Sequence, residues 1–177
     1  MSYVYVKFYH NAHVGRHSIT DVLLFDDGEM ERIHDYVQWV FPNPRISQAQ
    51  RDAAPYPLSR DEAIIMASDP IIMTKVYIML AKILKHWGIR WRPWATDASP
   101  RVEMRIVDPQ RFGQLLGAGN HNQLRMTRVL TFLFCIGENR LAQTLRDLVL
   151  NPQSNLMPGR AALSFWSQLN PTTAWSI

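Results

Sequence analysis

The stretch from Asp69 to Gly88 constrains the fold more than any other part of the chain. Asp69-Pro70 reads as a helix start, because the Asp side chain accepts from free first-turn N–H groups and proline at the first helical position forfeits no bond. Ile72, Met73, Val76, Tyr77, Met79, Leu80, Ile83, Leu84 and Trp87 follow on one broad apolar face, with Lys75, Lys82 and Lys85 opposite. Gly88 is the stop. The spacing predicts a long amphipathic helix laid against a core.

The same grammar recurs along the chain. Ser18 with Asp21 opens a short helix through Phe25. Asp26 or Asp27 caps EMERIHDYVQWVF, whose Met30, Ile33, Tyr36, Val37, Val40 and Phe41 share one face, and Pro42 ends it. Residues 42–58 hold four prolines and read as a surface loop. Ser59-Arg60-Asp61-Glu62 is a capping box, in which the Ser and Glu side chains each satisfy a free donor.

Asp108-Pro109 repeats the Asp-Pro start and runs to Leu116, before the Gly117-Ala118-Gly119 turn. The helix from Asn120 to Ile136 becomes apolar all round through TFLFCI, which places it at the centre of the domain. Gly137 ends it. RLAQTLRDLVL makes another amphipathic helix, and a last one runs from Pro158 to Leu169. Strand propensity is confined to Tyr3 to Tyr9 and to a brief alternation in RVEMRIV. These signals predict a mainly α chain, an irregular bundle of about seven helices forming a single domain over residues 1–177.

Composition bounds the class. Apolar residues make up 47% and charged residues 19%, as in globular proteins. No run approaches the roughly 18 apolar residues of a membrane span. The N-terminal residues lack the charged and apolar regions of a secretory signal and read as part of the fold. The lone cysteine, Cys135, excludes an intrachain disulfide and a cysteine-based zinc site and fits a reducing, intracellular, cytoplasmic setting. Its apolar neighbours favour an inert thiol. His10-x-x-His13-x-x-x-His17 has tolerable metal spacing but no helix to converge the rings, so no metal is expected. No paired acids, phosphate loop or nucleophile motif is present, which argues against an enzyme and implies no cofactor.

Charge is unevenly spread. Residues 1–81 carry seven basic and ten acidic side chains, whereas Lys82 to Arg128 carry nine basic and three acidic. Within that basic third, Lys85-His86-Trp87-Gly88-Ile89-Arg90-Trp91-Arg92 interleaves cations with aromatics. Such a pattern holds phosphates and stacks bases, so Lys85, Arg90, Trp91 and Arg92 form a candidate nucleic-acid surface.

Two segments are too particular to be helix filler: His34-Asp35-Tyr36-Val37-Gln38-Trp39-Val40-Phe41-Pro42 and Asn120-His121-Asn122-Gln123-Leu124-Arg125-Met126-Thr127-Arg128-Val129-Leu130. Together they resemble the conserved domain of the opioid growth factor receptor family, whose motifs read approximately H-x-Y-I-Q-W-L-F-P and H-N-N-L-R-I-T-R-I-L. The likeness covers roughly residues 8–150. It implies signaling receptor activity toward an enkephalin-type peptide, with a nuclear association in animals, and it brings no catalytic residues.

The residues themselves point to a binding surface. Trp39 projects off the apolar stripe of its helix, with His34 and Gln38 on a further flank. His121, Arg125 and Arg128 share a stripe on the second helix, and buried guanidiniums need carboxylates, carbonyls or an anionic ligand. Asn120 sits where free N–H groups suit an anion. His34, Gln38, Trp39, Asn120, His121, Arg125 and Arg128 are therefore the candidate ligand-binding set, presenting a groove to a peptide, small-molecule or protein ligand. The two sets should meet in space. The alternative is a nucleic-acid-binding module using the basic Lys82–Arg128 region.

Overall fold

The computed structural model describes residues 3–45, 56–92, 102–117, 119–151 and 157–176. Among the described residues ten α-helices run in chain order: α1 Val4–Tyr9, α2 Ile19–Leu24, α3 Asp27–Arg32, α4 Tyr36–Val40, α5 Arg60–Ser68, α6 Pro70–His86, α7 Pro109–Leu116, α8 Asn122–Cys135, α9 Asn139–Leu150 and α10 Arg160–Gln168. A 3-10 turn, Thr173–Trp175, follows α10, and one antiparallel ribbon, β1 Ile89–Trp91 with β2 Met104–Ile106, lies between α6 and α7. The mainly α class is as read from the sequence. The expected count of about seven helices is low by three.

Two of the extra helices have identifiable causes. VYVKFY, read as strand from its aromatic and β-branched content, is α1, because helix buries Val4, Tyr5, Phe8 and Tyr9 on one side. Its first turn is held by Glu62, whose Oε1 accepts from Tyr5 N at 2.6 Å and Val6 N at 3.2 Å. Its last turn is held by Lys75 Nζ, which donates to Tyr9 O at 2.6 Å. The capping box read at Ser59 is therefore half present. Ser59 Oγ accepts from Glu62 N at 3.1 Å, but the Glu62 carboxylate caps α1 instead of its own helix.

The helix read across EMERIHDYVQWVF is broken at Ile33–Asp35 into α3 and α4. Carbonyls of Met30, Glu31 and Ile33 turn to Arg125 of α8, at 2.9, 3.3 and 3.2 Å. A guanidinium with five donors accepts the role that the next helical N–H groups would have filled.

Local caps form at the residues read. Ser18 caps α2, and of Asp26 and Asp27 it is Asp26 that caps α3; the structure adds that each is a reciprocal capping box, with Asp21 and Glu29. Asp69 accepts from Ile71 N and Ile72 N, and Asp108 from Arg111 N. Gly88, at φ +77°, ends the α6 run in a conformation where a Cβ would also clash with the Asp108 carbonyl.

The alternation in RVEMRIV is strand β2, paired with β1 as Ile89 to Ile106, Arg90 to Arg105 and Trp91 to Met104. Helix α8 is the axis of the core, packed against α4, α7, α9, α10 and the terminal 3-10 turn. Its Val129, Leu130, Phe132 and Leu133 are fully buried. Trp166 Nε1 donates to Thr127 Oγ1 at 2.8 Å and anchors α10 on it. Of the proline-rich loop read over 42–58, residues 46–55 lie outside the described residues, as do Pro93, Pro100 and Ala118. Among the described residues no single helix is long and apolar enough to cross a membrane.

Candidate functional site

The two motifs meet directly, His34 on His121, Tyr36 under Arg125 and the Phe41 carbonyl with Arg128. Glu31, in the last turn of α3 and in neither motif, is the acceptor around which the second motif gathers. His121 Nε2 lies 3.0 Å from its Oε1, off the line of a hydrogen bond, so the pair attracts chiefly through charge when the ring is protonated. Glu31 Oε2 takes His86 Nε2 at 3.2 Å and Asn122 Nδ2 at 3.4 Å, with Arg125 Nη1 at 3.8 Å. His34 completes the first motif's share, its ring edge-on to His121 with centroids 5.1 Å apart.

Further along α3, Asp27 extends the same network. Its Oδ2 accepts from Arg111 Nη1 at 2.8 Å, and its Oδ1 lies 3.3 Å from His86 Nδ1. His86, at the end of α6, thus lies between Asp27 and Glu31 of α3, one ring nitrogen toward each. These groups edge a polar cleft of about 400 Å³ between α3, α6, α7 and the start of α8, lined by Asp27, Glu31, His86, Trp87, Arg111, Gln114, Leu115, Asn120 and Asn122.

The electrostatics follow from these contacts. The hydrogen bond from Arg111 holds the Asp27 carboxyl below its ordinary value, against a smaller opposing effect of burial. Burial alone would raise Glu31, yet hydrogen bonds from His86 and Asn122 and the charges of His121 and Arg125 outweigh it and leave Glu31 lowered. Burial and the neighbouring Arg125 push His121 below its ordinary value, with Glu31 opposing. Among the described residues no three His, Cys, Asp or Glu groups are placed to hold a metal ion.

The expected site residues separate into distinct roles. His121 and Arg125 approach Glu31, Asn120 lines the cleft, and His34 packs against the His121 ring. Arg128 turns instead to the Phe41 carbonyl, at 3.4 Å. Gln38 is buried. Trp39 faces away from the cleft and is covered by α1, with Tyr5 and Phe8 rings 5.9 and 5.7 Å from its own. As a groove wall it is therefore corrected: the helix that covers it is the segment read as strand.

Asn120 is corrected too. Its Oδ1 accepts from Asn122 N at 2.8 Å, its carbonyl accepts from Gln123 N, and the His121 carbonyl accepts from Leu124 N and Arg125 N. The N–H groups of Asn122, Gln123, Leu124 and Arg125 are thus consumed locally instead of being offered to an anion.

Sequence reasoning missed Asp27, Glu31, Arg111 and the His86 role. The motifs carried no sign of them, because they come from three other helices.

The cation and aromatic interleave is pulled apart by the ribbon. Trp91 turns inward against Tyr77, with ring centroids 5.8 Å apart, while Arg90 and Arg92 are exposed on the other face. Base stacking on Trp91 loses its support. Arg90 lies opposite Arg105, however, and Arg105 holds Glu103 through Nε at 2.7 Å. Lys85 is exposed.

A second groove, of about 470 Å³, lies along α10 and the terminal 3-10 turn and is lined by Ala161, Ser164, Phe165, Gln168, Thr173 and Ser176. Among the described residues its lining holds no charged side chain and no residue of either motif. Cys135 is buried, and burial pushes its thiol up to about 12, the inert form.

Fold and cleft together define a single-domain helical protein whose polar site is assembled between helices. Residues 4–157 match the model of the opioid growth factor receptor (OGFr) conserved region, and the chain belongs to that family. No curated protein and no solved structure matches it.

Proposed function

We propose that this domain is an intracellular binding module, not an enzyme, that takes a peptide or other small polar ligand in the cleft between α3, α6, α7 and α8. One observation carries the reading: the second family motif converges on Glu31 through His121, Asn122 and Arg125, the first reaches it only through the His34 ring on His121, and Glu31 lines a polar cleft of ligand size. The ionisable groups there neutralise one another, whereas catalysis needs a base poised against a nucleophile. Signalling through a captured peptide is what the family suggests for such a site.

The test is native mass spectrometry of the purified protein. A retained small-molecule or peptide mass, absent from a variant whose cleft is filled at the rim by Gln114→Phe, supports the reading. A protein that carries no ligand and takes up none from a cell extract overturns it.

A second reading rests on the Arg90–Arg105 pair. Like charges set directly opposite each other on a ribbon destabilise it, and a bound polyanion relieves that repulsion. With Arg92 on the same face, the patch suits the phosphate backbone of a nucleic acid, bound without base stacking.

A further inference from the structure

From residue 148 to residue 177 the sequence holds no Asp or Glu, and its one charged side chain is Arg160. Helix α10 and the terminal 3-10 turn fall in this stretch and border the groove of about 470 Å³. Ala161, Ser164, Phe165 and Gln168 stand three or four residues apart, so one face of α10 lines it, and Thr173 and Ser176 line it from the turn. Ala161 and Phe165 offer apolar surface, and the other four side chains are neutral.

The fold brings two more cations to this acid-free stretch. Arg45 donates through Nη2 to the carbonyl of Ser176 at 2.9 Å, across 131 positions of sequence. The guanidinium of Arg60, at the start of α5, lies over the Trp175 ring, 4.6 Å from its centroid. A carbonyl and a π face orient a guanidinium without cancelling its charge. Stacking also leaves the in-plane N–H fork of Arg60 free, and that fork matches a carboxylate.

Arg45, Arg60 and Arg160, which lies one helical turn before Ser164, are all exposed. Among the described residues none of the three forms an ion pair with a carboxylate side chain, whereas Arg105, Arg111 and Arg146 each have one. A neutral, partly apolar groove is thus set among cations that the chain itself does not neutralise. Its electrostatic complement is an anionic segment with an apolar anchor.

We propose that this groove docks an acidic peptide segment of a partner protein, with an apolar side chain seated against Phe165 and Ala161 and flanking carboxylates on Arg60, Arg45 and Arg160. The groove shares no lining residue with the cleft between α3, α6, α7 and α8, so the inference stands apart from the cleft-binding reading.

The experiment selects short random peptides, displayed on phage, against the whole chain at low salt. Enriched peptides are expected to set Asp or Glu on both sides of a Leu, Ile, Phe or Trp. A labelled member is then measured by fluorescence anisotropy. Ser164→Trp, which fills the groove from an exposed position, is expected to weaken binding at least tenfold, as is Arg45→Glu combined with Arg60→Glu. Gln114→Phe, at the rim of the cleft, should leave binding unchanged. Selection on the double variant should turn the preference toward Lys and Arg, and circular dichroism checks that each variant folds.

No enrichment overturns the proposal, as do enriched peptides that lack acidic residues or lack an apolar anchor. Binding that survives both groove variants overturns it too. Loss of binding in Gln114→Phe alone moves the peptide to the cleft, which overturns this inference and leaves the cleft-binding reading standing.

Discussion

Arg125 donates through Nη1 to the carbonyl of Met30 at 2.9 Å, joining residues 95 positions apart. The same guanidinium reaches the carbonyls of Glu31 and Ile33 and the Asn122 side chain. It satisfies a helix end that would otherwise be buried without donors, and it stacks over the Tyr36 ring at 5.8 Å. Arg125→Ala is expected to lower stability by about 3 kcal/mol, as for other broken buried charge networks, in urea unfolding. Arg125→Lys should recover little, since an ammonium lacks the planar fork that spans three carbonyls. A loss under about 1 kcal/mol would contradict the structural role.

Trp39 lies against Gly15, where an added Cβ would stand 2.6 Å from the indole. Gly15→Ala therefore has to displace the Trp39 ring from its seat on Tyr5 and Phe8. A destabilisation of about 1–3 kcal/mol is expected, the usual range for overpacking a core. Thermal unfolding should show it, and the near-UV tryptophan signal should change with it.

Glu62 is 3% exposed and caps α1 from α5. Burial raises its pKa, with the Tyr5 and Val6 N–H groups opposing. A raised carboxyl favours the protonated folded state, so its ionisation is a burden at neutral pH that is relieved as pH falls through the folded value toward 4.5. Glu62→Gln, which keeps an acceptor and sheds the charge, is expected to be near neutral at pH 7. Glu62→Ala, which strands two N–H groups, should cost about 2 kcal/mol or more in chemical denaturation. Equal losses in both variants would contradict the account.

Acid should loosen the α3–α6–α8 junction. His121 has a lowered folded pKa, so the stability tied to its neutral form is lost as pH falls below 6.5. Asp27 and Glu31 also have lowered values, so their contribution is present above 3.8 and 4.5 and is lost as pH falls through the folded values. The melting temperature should therefore decline below pH 6.5 and decline further below pH 4.5. Glu31→Gln is expected to flatten the lower limb, and an unchanged profile would count against the network.

The arginine ribbon makes a salt prediction. Arg90, Arg92 and Arg105, engaging three phosphates, give a slope of about −2 to −3 in log K against log salt. Arg90→Ala should reduce that slope by about one, read by fluorescence anisotropy with a labelled oligonucleotide. Absence of binding at low salt removes the nucleic-acid reading.

What the sequence by itself determined is what lies within one helical turn. Ser18, Asp26, Asp69 and Asp108 each accept from a backbone N–H two or three residues ahead, so these starts were legible without the fold. The apolar run through TFLFCI likewise announced the central helix, and the two motifs announced the family.

Only the tertiary structure decided the rest, because those residues are completed by partners far away in the chain. Glu62 looked like its own helix's cap until α1 offered two unpaired N–H groups 56 and 57 positions away. Residues 29–41 looked like one helix until Arg125 took the carbonyls at the break. The cleft was invisible because Asp27 and Glu31, His86, and Arg111 come from α3, α6 and α7, and no local pattern records contacts 55 to 84 residues apart. Trp39 lost its place in the site for the same reason. The face it left open on its own helix is closed by α1, whose aromatic sequence favours a strand in isolation and a helix once its apolar side has a core to meet.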